Sequence, residues 1–144
     1  MFFNQRKFKK KLDSYHSVAL QFLKLYLLTS GKHRPKKDIY FSGYLSGVNN
    51  RCAFLAGIKK GNKKQHNLFE LAGAEFLCNL LDLKSIKEAE NYFPDPPKND
   101  KEVELLHTAM NDGAIWIEDL ITSEKPNPSG EPTKLLNYLN SNDY

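Results

Sequence analysis

Apolar side chains at Phe8, Leu12, Tyr15, Ala19, Phe22 and Tyr26 recur in steps of four and three, the spacing that lines up residues on one face of an α-helix. This predicts a helix over about 4 to 29. Its second half is apolar nearly all round, while Arg6, Lys10, Asp13, Ser17, Gln21 and Lys24 form one narrow polar stripe. A helix with so little polar surface must be covered by others. The expectation is a central element with neighbours on most sides.

The remaining segments read as those neighbours. Gly31 and Pro35 close the first helix. Phe41, Leu45, Val48, Cys52 and Leu55 then make a second helical stripe over about 38–60. The repeated Ser-Gly of Ser42-Gly43 and Ser46-Gly47 cuts against that helix, because an interior glycine costs about 1 kcal/mol relative to alanine. Small residues four apart would instead let two helices approach closely. Asn67-x-x-Glu70, Ser85-x-x-Glu88 and Asn99-x-x-Glu102 each have the form of a capping box, predicting helix starts near 68, 86 and 100. The middle helix is short, because Pro94, Pro96 and Pro97 impose an extended linker. Val103, Leu106, Met110, Ala114, Ile117 and Ile121 share one face of the long helix that follows. After the turn residues Asn127 to Gly130, Pro132 suits the first turn of a last short helix carrying Leu135, Leu136 and Leu139. No segment alternates as a strand. The reading is an all-α fold, a single helical bundle of about five to six helices over residues 1–144.

A chain of 144 residues buries about 70% of its unfolded surface and needs no covalent staple. The two cysteines, Cys52 and Cys78, lie in apolar runs without CxxC spacing, which points to buried thiols in a reducing, cytoplasmic setting. The basic lead and apolar stretch at the start have the outline of a secretory signal. Gln21 and Lys24 interrupt that stretch, no small-residue cleavage site follows, and the run is too short to span a bilayer. It is read as part of the mature fold, with no membrane partner.

Charge divides the chain in two. Residues 1–66 hold fifteen Lys or Arg against two Asp, net +13, and residues 67–144 hold six against fifteen Asp or Glu, net −9. The basic residues fall into three clusters: Arg6, Lys7, Lys9, Lys10 and Lys11; Lys32, Arg34, Lys36 and Lys37; and Lys59, Lys60, Lys63 and Lys64 in the stretch GIKKGNKKQH. If the first two helices form an antiparallel hairpin, the first and third clusters meet at one end and the second lies at the other. Summed positive charge binds phosphates without reading sequence. The candidate nucleic-acid-binding residues are therefore Arg6, Lys7, Lys10, Lys11, Lys36, Lys37, Lys59, Lys60, Lys63 and Lys64. The competing reading is a solvated loop, or a handle for an acidic protein. No zinc-finger spacing or RNP signature is present, and Tyr40, Phe41, Tyr44 and Phe54 have the spacing of core aromatics rather than of a base-stacking platform.

Catalytic chemistry has little to draw on. Glu104-x-x-His107 matches half of a di-iron ligand set, but His16, His33 and His66 supply no second copy, and Glu75 and Asp112 have no fixed relation to it. Neither a GxSxG elbow nor a P-loop occurs, and apolar surroundings would raise the pKa of both thiols. Trp116, the sole tryptophan, is expected to pack against the last helix. No catalytic residue, metal or cofactor is assigned. Two functions stand: a non-enzymatic helical protein whose basic half contacts DNA or RNA phosphates, or a protein-interaction module (an adaptor, immunity-type or assembly subunit) whose oppositely charged halves meet a partner or a second copy. A metal-dependent enzyme is a distant third.

Overall fold

The computed structural model describes residues 2–29, 38–126 and 128–141, with side chains from residue 5 onward. These form six helices: α1 (Phe2–Thr29), α2 (Ile39–Ala56), α3 (Lys63–Leu81), α4 (Ile86–Glu90), α5 (Asp100–Thr122) and α6 (Thr133–Ser141). There is no strand among the described residues. All six helices contribute to one buried apolar cluster, from Phe8 and Leu12 on α1 to Leu135 and Leu139 on α6.

Local capping sets most of the boundaries. Ser85 accepts from the Glu88 amide and Asn99 from the Glu102 amide, so α4 and α5 begin where the sequence places them. The start expected near 68 is wrong. Asn62 caps α3 five residues earlier, its Oδ1 accepting from Gln65 N at 3.1 Å, while Gln65 Oε1 accepts from Lys59 N at 2.7 Å. This amide pair starts the helix at the first opportunity, and the Asn67 to Glu70 pair falls inside it. The second helix also ends sooner than 60. Gly57 takes φ 95°, where a side chain would be strained, and its N–H reaches the carbonyls of Ala53 and Phe54.

The innermost element is α2, in which eleven of eighteen residues are buried, rather than α1, whose Leu25 and Leu28 are both more than half exposed. The reason is the small-residue stripe. Gly43 lies against Leu106 and Ala109, Gly47 against Met110, and Gly113 against the Tyr44 carbonyl, so α2 and α5 run parallel with backbones in contact. Arg51 and Glu118, 3.4 Å apart, continue the same register. This contact also turns α5. Of the face expected to be buried, Ala114 and Ile117 are buried and Leu106, Met110 and Ile121 half-buried, but Ala109 and Gly113 join them while Val103 is 38% exposed.

Polar links hold the other helices to this pair. Asp38 caps α2 and accepts from Tyr138 of α6 at 2.9 Å, and Asp112 of α5 accepts from Tyr40 at 2.7 Å. The rings of Tyr40 and Tyr138 stack at 4.2 Å between these two carboxylates. Trp116 is half-buried beside Tyr44, and its Nε1 donates to Gly130 O at 3.0 Å, so it meets the loop that leads into α6. On α1, His16 is buried, stacks on Phe76 of α3 at 5.0 Å and places Nε2 2.7 Å from Asn49 Oδ1 of α2. Together with the pair Lys24 and Asp82, 3.7 Å apart, it fixes α1 parallel to α3.

Two outcomes follow from this packing. A Cβ at Gly47 would overlap the Met110 carbonyl, and one at Gly113 the Tyr44 carbonyl. Gly47→Ala and Gly113→Ala should each lower stability by about 1–3 kcal/mol or more, read as a lower denaturant midpoint. Burial holds the His16 pKa below its ordinary 6.5, against the opposing pull of the Asn49 hydrogen bond and Asp13. Between the two values the unfolded chain carries the extra proton, so stability should fall as pH drops below about 6.5. A His16→Gln variant should show a flatter dependence of Tm on pH over about pH 5–7.5, and an unchanged slope would remove His16 as the cause.

Candidate functional site

The lysine clusters occupy one end of the bundle. Because α1 and α3 are parallel and residues 57–62 join the end of α2 to the start of α3, the N-termini of α1 and α3 lie together with the connecting turn. Measured from the contact of His16 with Phe76 at about 1.5 Å per residue, Lys10 and Lys64 lie within about two turns of each other along the axis. Clusters separated by about fifty residues of sequence thus reach the same end of the molecule.

All the described candidates are exposed: Arg6, Lys7, Lys10 and Lys11 on α1, Lys59 and Lys60 in the turn, and Lys63 and Lys64 in the first turn of α3. The last two are therefore helical rather than part of a loop. Lys9 is engaged by Asp13 at 2.7 Å, and that hydrogen bond holds its pKa above the usual lysine value. Lys7, Lys10, Lys11, Lys59, Lys60, Lys63 and Lys64 form no salt bridge among the described residues. Lys36 and Lys37, with Lys32 and Arg34, lie outside the described residues.

The local electrostatics at this end run against helix preference. A helix N-terminus carries about half a positive charge and favours Asp or Glu in its first turn. Neither α1 nor α3 has an acid there, and α3 carries Lys63 and Lys64 instead. Two positive helix ends and these seven lysines therefore add their fields, offset in part by the C-terminus of α2.

A concave surface away from the lysine end has no counterpart in the sequence reading. A groove of about 750 Å³ separates α2 and α5 from α3 and α4. Leu45, Phe76, Leu77 and Met110 give it an apolar floor. At its base α2 meets α3, where a Cβ on Gly73 would come within 2.5 Å of Asn49 Nδ2. Leu71, Ile86 and Phe93 stand at its lips, 48%, 41% and 41% exposed. These three come from α3, α4 and the proline linker, and a periodicity scan within one helix has no means of grouping them.

The remaining constellations do not assemble. Glu104 and His107 are both exposed on α5, and no group of three or more His, Cys, Asp or Glu placed to hold a metal ion occurs among the described residues. Burial pushes the Cys52 thiol up to about 12, and Cys78, partly buried, is also raised and donates to Ser85 O at 3.3 Å. Neither thiol has the electropositive setting that makes a cysteine nucleophilic. Tyr40, Phe41 and Tyr44 are core, as their spacing suggests, but Phe54 is 64% exposed, with the Arg51 guanidinium 5.1 Å from its ring centroid. No helix among the described residues is long and apolar enough to cross a membrane. No protein-family model, curated protein or solved structure matches this chain.

Proposed function

We propose that this is a non-enzymatic helical protein whose basic end contacts nucleic-acid phosphates without reading base sequence. The observation that carries the reading is the placement of Lys63 and Lys64 in an acid-free first helical turn, at the same end as Lys7, Lys10, Lys11, Lys59 and Lys60. Departures from local electrostatic preference are expected where a site serves a ligand rather than the fold. A phosphate backbone meets this end with lysines as point donors and gains from counterion release. Among the described side chains of this end, the exposed ones that carry the charge are lysines and Arg6, in keeping with backbone contact. The protein-interaction reading has its own support in the apolar groove, on a different part of the surface.

Affinity for mixed-sequence RNA and DNA, measured by electrophoretic shift across a salt series, tests the proposal. Log affinity should fall linearly with log salt. Replacing Lys59, Lys60, Lys63 and Lys64 together with alanine should weaken binding to every sequence alike, and should flatten the slope by about 0.7–0.9 for each phosphate that is no longer neutralised. Exposed lysines contribute within about 0.5 kcal/mol each to stability, and removing two cations from a helix N-terminus acts in the favourable direction. The variant should thus be no less stable than the parent. A parent protein without salt-sensitive affinity for either nucleic acid overturns the proposal, and equal binding by the variant moves the contact to Arg6, Lys7, Lys10 and Lys11.

A further inference from the structure

The groove between the α2–α5 pair and the α3–α4 arm carries an apolar patch that the basic end does not account for. Single exposed hydrophobic residues are ordinary on a protein surface, whereas several that converge around one concavity mark a binding surface. Leu71, Ile86 and Phe93 converge in this way, and each keeps two-fifths or more of its surface in water.

Three features of the groove narrow its occupant. The first is length. On α3 the lining runs from Asn67 to Leu77, about 15 Å at 1.5 Å per residue, which matches about three turns of a guest helix. The second is charge. The charged side chains that line it, Glu70 and Glu90, are both acidic, and neither forms a salt bridge among the described residues. The third is the placement of the apolar groups. A small apolar molecule on the floor would leave the lips in water, while a polypeptide lying along the groove would cover floor and lips together. The walls are helices, and with no strand among the described residues there is no sheet edge for an extended peptide to join.

We infer that this groove is a docking site for a basic amphipathic helix of a partner protein. The apolar face of that helix packs on Leu71, Ile86 and Phe93, and its Lys or Arg side chains flank the seam and pair with Glu70 and Glu90. With nucleic acid at the lysine end and a basic helix in the acidic groove, the two surfaces select different partners through charges of opposite sign.

The test is a selection from a displayed library of helical peptides, each about fourteen residues or four turns long. The library has fixed apolar positions at i, i+3, i+4 and i+7 and either Lys or Glu at the flanking ones, and the full chain is the bait. Lys is expected to be enriched at the flanks. The best peptide, fluorescein-labelled, should lose tenfold or more in affinity to a Glu70→Lys, Glu90→Lys double variant and similarly to Phe93→Ser. These positions are exposed, so the variants should retain the helical circular dichroism and thermal unfolding of the parent. Enrichment of Glu, or a selected peptide that binds both variants as well as the parent, overturns the assignment. Full displacement of the peptide by laurate that itself binds more tightly would give the groove to a small apolar ligand. A concentration-dependent dimer of the parent that Phe93→Ser abolishes would give it to a second copy. Either result also overturns the proposal.

Discussion

Backbone contact between α2 and α5 is the constraint on which the rest of the molecule depends. Gly43 and Gly47 remove side chains from one helix and Gly113 from the other, the Ala109 methyl fills the space at Gly43, and carbonyl oxygens of Met110 and Tyr44 fill that at Gly47 and Gly113. Interiors pack near crystal density, so helices that meet through glycines bury their flanking side chains on both sides of the seam. Tyr40, Phe41, Leu45 and Val48 are consequently buried around α2, which becomes the centre of the core. The helix propensity lost at the glycines is offset by this contact, since tertiary packing contributes most of the stability of helices in folded proteins.

The groove is a by-product of the same arrangement. With α5 drawn tight against α2, α3 is held chiefly by α1, through the stack of Phe76 on His16 and the pair of Lys24 with Asp82. It touches α2 where Asn49 meets Gly73, and the short α4 leans on α3 rather than on the central pair. Space opens between the tight pair and the looser arm, and Leu71, Ile86 and Phe93 face it. The buried His16 stacks behind the floor residue Phe76 and pairs with the half-buried Asn49, which lines the groove, so this polar pair satisfies itself at an otherwise apolar junction.

Charge is organised by helix direction. Parallel α1 and α3 bring two N-termini to the lysine end, where the lysines add to the helix dipoles instead of cancelling them. The acidic residues of the groove, Glu70 and Glu90, belong to later segments and line a different part of the surface. The net +4 of the whole chain conceals two local fields of opposite sign, and partners respond to the local field within about a Debye length, near 10 Å at 0.1 M salt.

Sequence alone determined whatever a few neighbouring residues decide. The all-α class and the starts of α4 and α5 were legible because Ser85 and Asn99 satisfy amides only three positions away, and the first and third lysine clusters were legible as charge. Even there a competing local signal displaced one boundary, Asn62 and Gln65 capping α3 ahead of the expected Asn67. Tertiary structure alone decided that Ala109 and Gly113, rather than Val103, join Ala114 and Ile117 on the inward face of α5, why α2 and not α1 lies at the centre, and where the groove opens. Periodicity marks an apolar stripe, but Val103 and Ala109 are both apolar enough to belong to one. The choice fell to Ala109 and Gly113 because only small side chains admit the backbone of α2, and that requirement exists only once the two helices have met.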